Sequence, residues 1–222
     1  MNSFILKMIG IITMLLDHIG AVLLQPGTVP YFILRSIGRL AFPIFAFLIV
    51  EGFFHTRDLK KYMTRLGIFA LLSEIPFDLA FNNKVLELGY QNIFFTLFLG
   101  LILIHFIHQL ENKYRTNPTA YNIFSALVTL LFCIIAVILG TDYDFKGILI
   151  IVAFYLFRES KLWMVVSLLL ILNMIGGISV LGTLSMVFIG FYNGKKGKDI
   201  KYFFYIFYPL HLLLLFLINF LV

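Results

Sequence analysis

The chain has 222 residues, of which 61% are hydrophobic and 13% are charged, whereas roughly 25% of the residues of a soluble domain are charged. One core of this size cannot bury so many apolar side chains, which excludes an ordinary soluble domain and predicts a large lipid-facing surface. The net charge of +6 would suit nucleic acid in a soluble protein. Here the basic residues fall in short loops between apolar runs, so the sequence predicts no nucleic-acid partner.

Nine apolar segments can be separated along the chain. An apolar helix needs about 20 residues to cross a bilayer, within a range of about 17–25, and polar or glycine breaks at 158–161 and 176–177 divide the later part of the chain into shorter segments. The sequence predicts an all-α, polytopic integral membrane protein of about nine transmembrane helices, forming a single transmembrane domain over residues 1–222. The predicted helices lie at about 4–25, 31–54, 62–81, 92–109, 121–139, 145–157, 162–176, 178–192 and 203–222.

The distribution of basic residues predicts the orientation of these helices. If the N-terminus is cytoplasmic, most of the 17 lysines and arginines lie in cytoplasmic segments, as the positive-inside rule requires. The odd number of helices then puts the C-terminus outside. The first helix lacks a small-residue cleavage site and contains Asp17 and His18, so we expect it to be retained rather than removed as a signal peptide. The predicted location is a bacterial plasma membrane, with the lipid bilayer as partner.

Ionisable residues are few inside the predicted spans, and most of them belong to the first four. Charged side chains within a membrane are costly, so they usually face the bundle interior and either pair with one another or serve a function. In the predicted topology these residues lie at similar depths in the membrane. We therefore expect one polar pocket in the outer half of the bundle. The residues concerned are Asp17, His18, Arg35, Arg39, Glu74, Asp78, Gln91 and Asn92.

Two interpretations of this pocket are open. Arg35 and Arg39 are four residues apart and share a helix face, as do Glu74 and Asp78. The arginines on one face can form buried ion pairs with the acids on the other, and these pairs would only fix the register of the helices. Alternatively, His18 can act as a general base, because histidine gains and loses a proton near neutral pH. We favour the functional interpretation for His18.

The spacing of Lys7 and His18 suggests a binding path. Lys7 precedes His18 by eleven residues, close to three helical turns, so both lie on one helix face about 16 Å apart along the axis. An elongated anionic ligand from the cytoplasm could place a phosphate near Lys7 and its reactive end near His18. The alternative is an ordinary interfacial lysine whose side chain reaches the headgroups.

Long motifs in the first hundred residues resemble those of the TraX family. The matching segments are KMIG at 7–10, MLLDHIG at 14–20, IGRLAFPIFAF at 37–47, EG at 51–52, SEIPFD at 73–78 and QNIFFT at 91–96. Beyond these segments only the hydropathy pattern agrees. The family is linked to conjugation and to N-acetylation of pilin, and it resembles the wider transmembrane acyltransferases.

The resemblance implies an acetyltransferase that uses cytoplasmic acetyl-CoA to modify an amine or hydroxyl acceptor across the membrane. The acyltransferase-3 group carries a basic residue, ten intervening positions and a histidine in its first helix, and Lys7 and His18 match this spacing. The implied catalytic residues are His18 as general base, Asp17, Glu74 or Asp78 as its orienting carboxylate, Arg39 as oxyanion stabiliser and His211 as a candidate supporting residue.

Further residues would contact the two substrates. The phosphates of CoA would meet Lys7 and a basic loop, although a loop that only fixes the topology explains these residues equally well. The loop residues are His55, Arg57, Lys60 and Lys61, and the predicted acceptor contacts are Arg35, Gln91 and Asn92. The acceptor can be a pilin or other peptide amine, a sugar or a lipid. No metal is predicted, because the histidines are scattered and show no ligand spacing.

Two other functions stay open. Buried acids, bases and histidines also mark proton and substrate paths, so a proton-coupled transporter or flippase is one alternative. Its support is limited, because the charges cluster in the first four spans rather than in two related halves. The other alternative is a non-catalytic membrane assembly factor whose ion pairs only hold the bundle together.

Overall fold

The structure, a computed structural model, describes residues 1–198 and 200–221, and these residues form helices joined by short loops. The α-helices are α1 (Ser3–Leu23), α2 (Val29–Gly38), α3 (Ala41–His55), α4 (Leu59–Asn82), α5 (Ile93–Lys113), α6 (Pro118–Ile138), α7 (Asp144–Leu156), α8 (Lys161–Ile175), α9 (Ser185–Gly190) and α10 (Lys201–Leu221). A 3-10 helix at Gly177–Leu184 precedes α9. Strand pairing in the described chain is limited to one isolated bridge between Gln91 and Thr141. The predicted all-α class is confirmed.

Five helical segments of the described chain are long and apolar enough to cross a membrane. They are Ser3–Leu23, Val29–His55, Ile93–Lys113, Pro118–Ile138 and Tyr202–Leu221. Helix α4 has 24 residues but carries acids and bases along its length. Helices α7 and α8, with 13 and 15 residues, are shorter than the roughly 17 residues that a crossing helix needs. The fold is therefore that of a polytopic helical membrane protein.

The second predicted helix is interrupted at Arg39 and Leu40, between α2 and α3. Pro43 has no backbone N–H that could donate to the carbonyl of Arg39, and its ring clashes with a helical carbonyl at that position, four residues earlier. The backbone N–H groups of Arg39 and Leu40 instead donate to the carbonyls of Ser36 and Ile37, at 3.3 and 3.2 Å. The apolar span predicted at 31–54 is present as Val29–His55, but the helix within it is not continuous, and Arg39 lies at a joint between α2 and α3.

The segment predicted as a helix at 178–192 is also only partly α-helical. Gly176 and Gly177 have φ angles of 78° and 56°, which glycine adopts without strain, and they end α8. The 3-10 helix then packs against the joint between α2 and α3. A Cβ on Gly182 would lie 2.8 Å from the carbonyl oxygen of Arg39, so the two backbones are in close contact.

Side-chain contacts show that α1, α4 and α10 run parallel. Towards the N-terminal ends of α1 and α10, the ammonium of Lys7 lies 5.3 Å from the ring centroid of Phe204. Further along both helices, the ring centroid of His18 lies 5.0 Å from that of His211. In α4, Phe69 stacks on Tyr205 at 5.0 Å, and Phe81, nearer the C-terminal end, contacts His18 at 5.3 Å. The common direction is the one that the alternating topology predicts for these three helices.

The loop between α6 and α7 folds against the start of α5. The N–H of Gln91 donates to the carbonyl of Gly140 at 2.8 Å, and the N–H of Asp142 donates to the carbonyl of Gln91 at 3.0 Å. The hydroxyl of Thr96 donates to the carbonyl of Asp142 at 2.5 Å. These bonds hold Asp142 and the following Tyr143 at one end of the bundle.

Replacing Gly140 by alanine is expected to lower the free energy of unfolding by about 1–3 kcal/mol. Gly140 has a φ of 61°, and an added Cβ would lie 2.2 Å from the backbone oxygen of Gly89, so no side-chain movement relieves the clash. Thermal unfolding in detergent micelles measures the effect. Gly190→Ala is the control, because a Cβ there meets nothing within 4 Å. Equal stability of the two variants would contradict the prediction.

Candidate functional site

A cavity of about 310 Å³ lies among α1, the joint between α2 and α3, α4, α10 and the loop between α6 and α7. Its wall combines charged side chains with aromatic rings. The wall residues that the sequence placed in one pocket are Asp17, His18, Arg35 and Arg39. The other polar wall residues are Asn82, Tyr90, Asp142, Tyr143 and Tyr208. The structure therefore brings together four ionisable residues of the first two predicted spans.

Asp17 binds both arginines, and we call Asp17, Arg35 and Arg39 the Asp17 cluster. Nη1 of Arg35 donates to Oδ2 of Asp17 at 2.5 Å, and Nη2 of Arg39 donates to Oδ1 at 2.6 Å. Nε of Arg39 also donates to the carbonyl of Arg35 at 3.2 Å. Two guanidinium charges face one carboxylate charge, so these three residues together carry one net positive charge, and Asp142 adds a second carboxyl group to the same wall.

Glycine allows the close approach that forms this cluster. A Cβ on Gly38 would lie 2.2 Å from both Cβ and Oδ1 of Asp17, so α2 reaches α1 only because the side chain is absent. The interpretation in which the two arginines mate with Glu74 and Asp78 was wrong. The arginines do form buried ion pairs, but with the neighbouring acid on α1.

His18 is held by aromatic rings and by a second histidine. Its Nδ1 lies 2.7 Å from Nε2 of His211, and the two rings are parallel within 3°. Nδ1 of His211 lies 2.7 Å from the carbonyl oxygen of Phe207, one turn earlier in α10. Phe81 and Tyr208 meet the His18 ring edge-on, with centroids at 5.3 and 6.0 Å. The partner of His18 is thus His211, while Asp17 is engaged by the arginines.

Glu74 and Asn92 lie outside the cavity wall and join α4 to the start of α5. The two oxygens of Glu74 accept hydrogen bonds from the backbone N–H and from Nδ2 of Asn92, at 3.2 and 3.0 Å. Nδ2 of Asn92 also donates to the carbonyl of Ala70 at 2.8 Å, and its Oδ1 accepts from the N–H of Phe94 at 3.0 Å. Asn92 therefore caps α5 and ties it to α4.

Asp78 and Gln91 hold the loop between α4 and α5. Oδ2 of Asp78 accepts from the N–H of Glu87 at 2.7 Å, and Oδ1 accepts from Nδ2 of Asn82 at 3.1 Å. Nε2 of Gln91 donates to the carbonyl of Leu88 at 2.9 Å. Asp78 thus connects to the cavity through Asn82, which lies on the wall.

The loop between α6 and α7 places Asp142 and Tyr143 at the cavity. Tyr143 and Asp144 have φ angles of 65° and 48°, a conformation that costs about 1–3 kcal/mol for each non-glycine residue and is common at functional sites. The ring of Tyr143 stacks on Phe42 with centroids 4.1 Å apart. The hydroxyl of Tyr90 donates to Oδ1 of Asp142 at 2.6 Å. Tyr143 therefore lies on the wall with a left-handed backbone conformation.

The residues predicted to meet CoA lie away from this cavity. Lys7 is half-buried and contacts Phe204 on α10. The loop residues His55, Arg57, Lys60 and Lys61 are exposed. Asp58 caps α4 by accepting from the N–H of Lys61 at 2.9 Å, and its bonds with the backbone and side chain of Lys61 hold the pKa of the Asp58 carboxyl below its usual range. Lys61 therefore also supports the start of α4.

Asp142, Tyr143 and Tyr208 of the later chain complete the wall, and the sequence analysis predicted none of them. For Tyr208 a signal existed, because it lies three residues before His211 in an otherwise apolar segment. Asp142 gave no such signal, since a polar residue in a loop is ordinary. Within residues 1–198 and 200–221, no group of three or more histidine, cysteine, aspartate or glutamate side chains could hold a metal ion.

Apolar helices that enclose a charged, histidine-bearing cavity define a polytopic membrane protein with a polar site inside the bundle. Comparison with known families shows which family within this class the chain belongs to. The family model described as TraX protein matches residues 3–219, and the chain belongs to the TraX family. It is 32% identical over 218 residues to a protein of Dichelobacter nodosus described as probable fimbrial assembly protein FimC, serogroup H1, an alignment that covers 88% of this chain and 86% of that protein. No solved structure matches the chain.

Proposed function

We propose that the protein is a membrane-embedded acyltransferase that moves an acetyl group from cytoplasmic acetyl-CoA to an amine or hydroxyl acceptor on the outer side of the membrane. The observation that carries this proposal is the cavity, where His18 and the Asp17 cluster share one wall. A base beside a net positive cluster suits a reaction in which a proton leaves one atom while negative charge develops on another.

The proposed topology has about nine spans, and it counts α7, α8 and the segment Gly177–Gly190 as short ones. The N-terminus lies in the cytoplasm and the C-terminus outside the plasma membrane. The parallel direction of α1, α4 and α10 supports it. The N-terminus also lies against the segment after α9, since the amino group of Met1 donates to the carbonyl of Phe191 at 2.7 Å and the N–H of Ser3 donates to the carbonyl of Lys195 at 2.8 Å. Both segments are cytoplasmic in this topology.

The proposed reaction assigns roles to His18, Arg35 and Arg39. His18 takes a proton from the acceptor amine or hydroxyl, whose nitrogen or oxygen bonds to the acetyl carbonyl carbon. Arg39, and with it Arg35, stabilises the oxyanion that forms on the carbonyl oxygen. The carbon–sulfur bond then breaks, the thiolate of CoA leaves, and the proton held by His18 passes to the sulfur. The products are the acetylated acceptor and CoA, with no net change in protons.

The donor is proposed to enter along α1. Lys7 and His18 lie on one face of this helix, about 16 Å apart along its axis. Met14 lies on the cavity wall between them, whereas Lys7 does not. The reactive end of the donor therefore reaches His18 only when the side chains between Lys7 and Met14 separate. Lys7 and the exposed basic loop would then hold the CoA phosphates.

The proposed acceptor is a peptide amine such as the N-terminus of a pilin subunit. The name of the Dichelobacter relative concerns fimbrial assembly, and pilin acetylation is the activity that the family resemblance implies. Fimbrial assembly by itself also fits a non-catalytic assembly factor. The histidine on the wall of a charged cavity favours the enzyme.

A transfer assay tests the proposal. The purified chain in liposomes receives radiolabelled acetyl-CoA and a short peptide with a free amino terminus, and label is expected in the peptide. The same peptide with a blocked terminus is the matched control and should stay unlabelled. Binding of acetyl-CoA without transfer to peptide, sugar or lipid acceptors would contradict the enzyme. Absence of acetyl-CoA binding would favour the transporter or the assembly factor instead.

Binding of acetyl-CoA is expected to weaken about tenfold, or about 1.4 kcal/mol, when Lys7 is replaced by alanine. The reason is the loss of a cation that would contact a phosphate, and the wild-type affinity should fall as salt screens this contact. Titration calorimetry in nanodiscs at two salt concentrations measures both effects. Lys113→Ala is the control, because Lys113 is an exposed lysine at the same predicted surface. An affinity that is independent of salt and of Lys7 would contradict the phosphate contact.

A further inference from the structure

His211 forms a hydrogen-bonded chain with His18 that fixes the position of protons. Three groups lie in line: the carbonyl of Phe207, the imidazole of His211 and the imidazole of His18, with both linking distances 2.7 Å. His211 is 5% exposed, and its ring stacks on Phe207 with centroids 4.8 Å apart. The ring therefore has little freedom to turn away from either partner.

The chemistry of the three groups determines which nitrogen carries each proton. A backbone carbonyl only accepts hydrogen bonds, so Nδ1 of His211 must carry a proton and donate it to Phe207. A neutral imidazole carries one ring proton, which leaves Nε2 of His211 as an acceptor. The hydrogen bond to His18 then requires a proton on Nδ1 of His18. Nε2 of His18 is left with a free lone pair.

The alternative, a doubly protonated His211, is disfavoured by its surroundings. A charged imidazolium needs water or an acid as neighbour, and His211 is buried against the rings of Phe207 and Tyr208. Its polar neighbour His18 already lies on the same wall as the two guanidiniums of the Asp17 cluster. A further positive charge here would be repelled.

We propose that His211 is a positioning residue that keeps His18 in the tautomer with a proton on Nδ1 and a free base at Nε2. A carboxylate commonly plays this part for a catalytic histidine, but the carboxylate next to His18 in sequence is bound by Arg35 and Arg39. A buried histidine anchored on a backbone carbonyl performs the same orientation without adding a negative charge. The catalytic role of this tautomer rests on the proposed acyl transfer. The tautomer itself follows from the hydrogen bonds and does not depend on that proposal.

The test measures the tautomer directly. The full-length chain, labelled with ¹⁵N-histidine and reconstituted in liposomes, is studied by solid-state NMR, with His18→Gln used to assign the His18 signals. The wild type is expected to show a protonated Nδ1 and an unprotonated Nε2 for His18. His211→Gln should keep this pattern, because the amide oxygen can accept from Nδ1, whereas His211→Leu should lose it. A wild-type His18 with its proton on Nε2, or an unchanged pattern in His211→Leu, would overturn the proposal.

Transfer assays on the same variants separate this inference from the proposed function. His211→Leu is expected to lower kcat by at least about tenfold with little change in KM for acetyl-CoA, and His211→Gln should restore most of the rate. If the tautomer pattern appears as expected but the wild type transfers no acetyl group, the positioning by His211 stands and the acyltransferase proposal fails. If transfer occurs and His211→Leu is as active as the wild type, the positioning role is overturned.

Discussion

Replacement of His18 by alanine is expected to lower the rate of acetyl transfer by about 10²–10⁴-fold, the usual contribution of a general base. His18 is the histidine that the cavity wall presents beside two guanidiniums. Without it the acceptor must lose its proton to water, while the arginines can still stabilise the oxyanion. Acetyl-CoA binding should persist, because the proposed phosphate contacts lie near Lys7.

The measurement is single-turnover transfer from acetyl-CoA to the free-amine peptide, with thermal unfolding as a check on folding. His105→Ala is the matched control, since His105 lies on α5 and does not line the cavity. Its Nε2 lies 3.1 Å from Nε2 of Gln109. A His18→Ala variant that transfers acetyl at the wild-type rate would exclude His18 as the base.

Replacement of Asp17 by asparagine is expected to lower the free energy of unfolding by on the order of 3 kcal/mol, because it leaves buried charges without a counter-charge. Asparagine keeps the shape of the side chain, so the change isolates the charge. The side chains of Arg35 and Arg39 are only 22% and 15% exposed, so water compensates their charges poorly. The measurement is chemical or thermal unfolding in detergent or bicelles.

Two further variants sharpen this prediction. Asp144→Asn is the control, since the carboxylate of Asp144 is 48% exposed and 3.8 Å from Lys146, and an exposed ion pair of this kind contributes about 0–1 kcal/mol. Replacing all three residues of the Asp17 cluster by leucine or methionine should recover much of the stability, because no unpaired charge then remains. If Asp17→Asn were no less stable than Asp144→Asn, the pairing would not stabilise the bundle.

The sequence predicts the depth of the site in the membrane better than it predicts the contacts between the site residues. Hydropathy and loop charge set how deep a residue lies, and this was enough to group His18 with Arg35 and Arg39. Depth does not specify which helices are neighbours. Glu74 lies at a suitable depth, yet it bonds Asn92 at the start of α5, because α4 turns that face towards α5 rather than towards α2. The partner of the arginines is Asp17, which a close approach at Gly38 brings within reach.

Irregular backbone is the part of the fold that periodicity predicts least well. The residues around Arg39 are mostly apolar and predict one helix, although Pro43 prevents the carbonyl of Arg39 from continuing the helical pattern. Tyr143 and Asp144 adopt left-handed conformations that nothing in their side chains requires. Such conformations are imposed by distant packing, here the bonds that tie Gln91 to the loop of Gly140 and Asp142.

The contact between Gly182 and the carbonyl of Arg39 has a consequence for how the protein can be divided. All the recognisable motifs lie in the first hundred residues, yet the backbone behind Arg39 comes from the 3-10 helix at Gly177–Leu184, and His18 rests against α10. A fragment that retained every motif would lack both supports. The site therefore depends on the whole chain. If the first hundred residues were transplanted into another scaffold, the reactive side chains would be present, but the segments that hold them in position would be missing.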